Sequence, residues 1–220
     1  MKGTIVAMNI SRQAPDVLTT ERLVGRRLTA ADEPLLLSFH RDARVVSWLG
    51  GGDEEISEQE NREWLDEKLR HWEAHGFGLY AWFEAGGAGA SGSPLDDAPP
   101  GRFVGRAGIH RVDPDVGEIV GDPEAIELMY ALAFDAWGHG FAREIGRRLL
   151  EVARDDLGRA EIIADTVPHN VRSRRVMEGL GFSYEREFWH DDHTMLLYHK
   201  TLGVATGGQA PAPGGRSPAR

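Results

Sequence analysis

The chain has 220 residues, none of them cysteine, and a formal net charge of −10 at pH 7. Without thiols there is no disulfide, no cysteine nucleophile and no cysteine-ligated zinc or iron–sulfur centre. The acidic balance argues against sequence-independent nucleic-acid binding, which needs a basic surface.

No apolar run reaches the length of a membrane span, and residues 1–15 lack a long apolar core and a cleavage pattern, so a soluble cytoplasmic protein is expected. Residues 1–16 carry no usable pattern and read as a flexible arm. Leu18–Leu28 reads as a first strand. Thr29 and Asp32 have capping spacing, and Leu35, Leu36 and Phe39 follow as a short helix. Asp42–Leu49 adds a turn that Gly50, Gly51 and Gly52 break. Ser57 and Glu60 form a capping box, opening a helix whose Trp64, Leu65, Leu69 and Trp72 make one apolar stripe, ended by Gly76.

Leu79–Phe83 and Phe103–Val112 read as strands around a disordered-like loop at 85–101, rich in Gly, Ala, Ser and Pro. Asp113–Ala125 reads as a polar connection. Glu127–Ala133 is a strand, Trp137–Ala142 a glycine turn, and the segment to Leu157 an amphipathic helix with Ile145, Leu149, Val152 and Ala153 on one face. Glu161–Val167 is a strand, Pro168–Leu180 a helix ended by Gly181, and Phe182–Phe188 and Thr194–Thr201 are the last strands. Residues 203–220 read as a disordered tail. The element order predicts one α/β (α+β) domain over residues 17–202: a twisted mixed, mostly antiparallel sheet with helices on both faces.

The chemistry concentrates on residues 126–157. A strand entering a helix through Gly138 and Gly140 aims backbone N–H groups and the positive end of the helix dipole at one place, which suits a phosphate. A Walker loop is excluded because the Lys and the Ser/Thr are missing. A dinucleotide fold wants a third glycine and an acid further on. The stretch instead resembles the acetyl-CoA loop of the GNAT acetyltransferases, Arg/Gln-x-x-Gly-x-Gly/Ala, with Gly140 and Ala142 at the last fixed positions and Trp137 in place of Arg/Gln. Thr20–Leu23, Trp48–Gly50, Gly76–Gly78, Phe103–Gly108, Asn170 with Ser173, and Gly181–Phe182 are similar to the Rim-type branch, which acetylates N-termini of ribosomal proteins.

The resemblance implies acetyl-CoA as co-substrate. Gly138, His139, Gly140, Phe141, Ala142 and Arg143 would hold its pyrophosphate through their N–H groups. The edge of Met129, Tyr130, Ala131 and Leu132 would pair with the pantetheine arm, and Trp137 lies beside them. Ser173 matches the acid that protonates the departing thiol, Asn170 a residue hydrogen-bonding in the cleft, and Glu127 is the candidate base, acting through a water. A backbone N–H near Ala131 would hold the oxyanion. Each has a plainer reading: a surface serine, a helix cap, a solvated strand-edge glutamate. Met129 stands where the family often has glycine.

Residues 31–67 hold eleven Asp/Glu against three Arg, which favours a cationic amine acceptor. The His190–His193 turn is read as a polar turn, with no metal. Trp48, Trp64, Trp72 and Trp82 are read as core first and acceptor pocket second. The expected function is N-acetyl transfer to a primary amine by a monomer or homodimer. A small-molecule detoxification or antibiotic acetyltransferase and a noncatalytic acyl-CoA-binding module are the alternatives.

Overall fold

Alternation along the strands decides which side chains meet which helices. In the computed structural model, which describes residues 12–48, 55–86, 101–190 and 192–203, strand β3 (Leu79–Glu84) turns Tyr80 and Trp82 to one face and Leu79, Ala81 and Phe83 to the other. The period of two places the first set in the larger core and the second under helices α1 (Glu33–His40) and α3 (Glu58–His75). Two cores, one per face, result.

The sheet has eight strands. Besides β3 these are β1 (Val17–Thr19), β2 (Leu23–Arg27), β4 (Phe103–Arg111), β5 (Ile126–Leu132), β6 (Glu161–Thr166), β7 (Ser183–His190) and β8 (His193–Thr201), in the spatial order β1-β2-β3-β4-β5-β6-β8-β7. Every pairing is antiparallel except β5 with β6. The expected mixed, mostly antiparallel sheet with helices on both faces is therefore present. The parallel pair consists of one register position, Glu127 opposite Ile163, and past it the two strands share no ladder.

Local boundaries differ from the sequence reading in four places. The first strand is two, because the Thr20 hydroxyl oxygen accepts the Leu23 N–H and the Thr20 backbone N–H donates to the Leu23 carbonyl at 2.9 Å, closing a hairpin. Helix α2 (Ala43–Val46) is the short turn read at 42–49, whose end lies outside the described residues, as do Gly50, Gly51 and Gly52. The supposed polar connection holds helix α4 (Pro114–Val120), started by Asp113-Pro114 and stopped by Gly121 in the left-handed region. The long helix is α5 (Phe141–Glu151) continued by a π-helical stretch, Val152–Asp156. The last helix, α6, covers Val171–Gly179, with Pro168 outside it.

Among the described residues no helix is long and apolar enough to cross a membrane. Most of loop 85–101, the arm before residue 12 and the tail after residue 203 lie outside the described residues.

Candidate acyl-donor cleft

Where β5 and β6 part, a cavity of about 640 Å³ opens. Of the residues singled out in the sequence, Tyr130, Ala131, Leu132, Trp137, Gly138, Gly140, Phe141, Ala142, Arg143, Asn170 and Ser173 line it, while Met129, His139 and Glu127 do not. Gly138 and Gly140 both have φ near +79 to +78, a conformation that costs other residues a steric penalty. A side chain at Gly138 would meet no protein atom within 4 Å. The loop is thus open toward the cleft, as a phosphate cradle requires. Gly140 caps α5, so the N–H groups of Phe141, Ala142 and Arg143 have no intrahelical acceptor and stand at the positive end of the helix dipole.

Side chains from outside the loop hold it. Arg22 donates to the His139 carbonyl at 3.0 Å, pairs with Glu144 at 2.6 Å and lies over the Phe141 ring at 4.7 Å. Thr20 donates to the same glutamate at 2.6 Å. The Thr20–Leu23 stretch is therefore a clamp on the loop. Burial raises the Glu144 carboxyl, yet hydrogen bonds from Thr20 and Arg22 outweigh it and leave the group below its ordinary range. Arg22, Arg143 and Arg147 line an adjoining recess of about 410 Å³.

The register sharpens the backbone donor. Ala133 N–H bonds to the Val104 carbonyl at 2.8 Å, and with Arg106 opposite Ala131 and Gly108 opposite Met129 the alternation turns the N–H groups of Ala131 and Met129 toward β4. Tyr130 and Leu132 therefore present theirs to the cleft. Leu132's carbonyl is taken by the Trp137 indole N–H at 2.8 Å. That bond explains how a tryptophan can occupy the Arg/Gln position and fix the loop from its start.

Ser173 Oγ lies 2.8 Å from the Tyr130 hydroxyl, which also donates to the Ser173 carbonyl at 3.1 Å. Burial pushes the tyrosine's pKa up, so it stays protonated. Asn170 is a helix cap that also lines the cleft. Its Oδ1 caps α6 by accepting the Ser173 N–H at 3.0 Å, and its Nδ2 donates to the Trp48 carbonyl at 2.8 Å. Asn170→Ala is expected to cost about 1–2 kcal/mol through the lost cap and the unmade bridge, read as a lower urea midpoint with unchanged slope. Arg172, which sequence reasoning passed over, stacks between Trp48 at 5.1 Å and Trp137 at 4.9 Å. Trp72 and Trp82 are core, at 3% and 0% exposure.

Glu127 sits at the single β5–β6 contact, where the cleft closes, and opposite His110 on β4. Burial raises its carboxyl well above the ordinary range, the nearby Asp165 and Asp113 push the same way, and Lys68 opposes them. Burial likewise lifts Asp165 to about 6. Four acids of residues 31–67 have local partners: Asp32 pairs with Arg26, Asp42 with Arg44, Glu55 with Arg41, and Glu60 caps α3. Charge counting along the chain located an acidic region, but the carboxylates beside the candidate base come from α4's entry and β6. Asp191 of the His190–His193 turn lies outside the described residues.

Comparison with known proteins agrees with this geometry. Residues 22–183 match the family model described as an acetyltransferase (GNAT) domain. The chain is 25% identical over 184 residues to the uncharacterized protein YkkB of Bacillus subtilis (strain 168), covering 83% of this chain and 94% of that one. A GnaT-family acetyltransferase structure from Bordetella pertussis superposes with a TM-score of 0.69 at 24% identity, over 85% of this chain and all of that one. A RimL structure, a ribosomal L7/L12 alpha-N-protein acetyltransferase in complex with coenzyme A, gives a TM-score of 0.63 at 14% identity, over 86% and 99% of the two chains.

Proposed function

The chain belongs to the GNAT acetyltransferase family, and from that premise we propose that it moves an acetyl group from acetyl-CoA to a primary amine by direct attack. The observation that carries this reading is the single-pair opening of β5 from β6, with a glycine loop at its mouth and Glu127, its carboxyl raised by burial, at the one position where the two strands meet. Loop 138–143 would hold the pyrophosphate, with Arg143 and Arg147 adding charge beside it. The cleft-facing edge of β5 would accept the amide-bearing arm.

Acetyl-CoA supplies the activated acyl group, and the chain's own residues handle protons. Glu127 takes one from the incoming ammonium through a water, and the lone pair of the neutral amine so formed then makes the N–C bond. The N–H of Tyr130 or Leu132 holds the oxyanion. Ser173, backed by Tyr130, returns a proton to the sulfur as the C–S bond breaks. The carboxylates around Glu127 favour an amine that arrives as a cation, such as a protein N-terminus or a small-molecule amine. The Rim-type stretches and the RimL likeness in fold support the N-terminal acceptor; a detoxification acceptor uses the same machinery.

A screen of cationic amines, neutral amines and basic peptides, reading released CoA thiol, tests the proposal. Turnover with cationic amines or basic peptides is expected. Turnover confined to neutral amines would defeat the charge argument, and tight CoA binding without any turnover would leave a noncatalytic acyl-CoA module.

A further inference from the structure

Arg106 is a largely buried cation with no counter-ion among the described residues. It lies on β4 between Ala81 and Ala131, facing α1 and α3. Its Nε donates to His40 Nε2 at 3.1 Å, and its guanidinium stacks over Trp64 at 4.6 Å. Those are its contacts among the described residues, and neither is an anion. His40 is held neutral. Asn61 donates through Nδ2 to the Glu33 carbonyl, so its Oδ1 accepts from His40 Nδ1, and His40 Nε2 is left as an acceptor for Arg106. Burial first, and then the charge of Arg106, lowers the imidazole to about 4. Burial also lowers the guanidinium to about 10, which records how little compensates it.

Arg26, the half-buried arginine on β2, is paired with Asp32. A fastening between β4, α1 and α3 needs no charge, and a neutral side chain would make it without desolvating a cation. The guanidinium's two terminal amino groups remain as a planar pair of donors, the geometry that takes a carboxylate in bidentate fashion. Cross-strand partners share a face, so Arg106 stands on the same face as Ala131 and Glu127, roughly 13 Å along the strands from the carboxyl cluster by the rise per residue.

We propose that Arg106 receives a carboxylate of the acceptor, making the acceptor an amine that also bears a carboxylate rather than a polyamine. The ammonium end goes to the acid groups around Glu127 and the carboxylate end to Arg106. This rests on the acetyl-transfer reading above, and the experiment separates the two.

ω-Amino acids of increasing chain length and alkylamines of matching length are compared as acceptors for the wild type and for Arg106→Gln, which keeps a donor for His40. The wild type should favour the carboxylate-bearing member by about 10–100-fold in kcat/KM, and R106Q should lose that preference while its turnover of alkylamines changes little. Equal use of both series by the wild type, or an equal loss of both in the variant, would overturn the assignment. A second arm needs neither turnover nor the variant. With CoA bound, the corresponding N-acetylated amino acids should raise the wild-type Tm and the N-acetylated alkylamines should not. Absence of a carboxylate-dependent shift sinks the Arg106 proposal. A shift without thiol release keeps the anion site and rejects the acetyl-transfer reading.

Discussion

Glu127→Gln is expected to lower kcat/KM by about 10²–10⁴-fold, the range for removing a positioned general base, and at the same time to raise the melting temperature at neutral pH. The two effects share a cause. Burial, with Asp165 and Asp113 beside it, raises the Glu127 carboxyl above its unfolded value. The native state then binds more protons than the unfolded chain in the window between the two pKa values, so stability falls as pH rises through it and the penalty is complete above the folded value. Each factor of ten in proton affinity corresponds to about 1.4 kcal/mol. Glutamine keeps the shape and removes that penalty.

The wild-type kcat/KM should rise with pH above the ordinary carboxylate range, and its apparent pKa belongs to the interacting Glu127–Asp165 pair rather than to either alone. Lys68 lowers that value, and His110 across the strand, itself lowered to about 4 by burial, adds no charge at neutral pH. An E127Q enzyme retaining the rate within about threefold, or showing the same ascending limb, would remove Glu127 from the chemistry.

What the sequence shows and hides divides by the distance of the interaction along the chain. The Ser57–Glu60 capping box and the Gly76 stop define α3 within one turn of each end, and the helix runs between them as expected. The glycine loop is equally local, since two left-handed residues and a helix start lie within four positions. Helix α4 has the same kind of signal in Asp113-Pro114 and Gly121, but the second Asp-Pro at 122–123 draws the whole segment toward a loop reading. Buried Val116 and Gly117, packed against Val112 and Pro123, decide it.

The side chains that complete the cleft are different. Tyr130 meets Ser173 from 43 positions away and Arg106 meets His40 from 66. Periodicity names the face a residue occupies and not the residue it finds there. Arg172 has no sequence signal at all, because its two tryptophan partners lie on α2's exit and on the loop.

Ser173→Ala is expected to lower kcat by about 10²-fold with little change in the KM for acetyl-CoA. A serine hydroxyl has little acidity by itself, and its contact with Tyr130 is what suits it to supply a proton. The phenol is buried, its pKa raised, and its oxygen lies 2.8 Å from Oγ. Held protonated by that shift, the phenol can turn its hydrogen from the Ser173 carbonyl to Oγ and stabilise the serine oxygen as its proton goes to sulfur. Solvent restores the serine proton after release, so the two hydroxyls act as a unit. Tyr130→Phe should lower kcat in the same direction by a smaller factor, since Ser173 keeps its place through the α6 cap on Asn170.

Non-additivity is the discriminating result. Residues acting as one unit lose their joint contribution once, so the double variant should be no slower than Ser173→Ala alone. Multiplying losses would mean that Tyr130 acts on the cleft independently, through packing or the β5 edge. An unchanged kcat in Ser173→Ala, with CoA still bound, would place the thiol's proton source elsewhere and reduce Ser173 to the residue whose N–H completes the Asn170 cap.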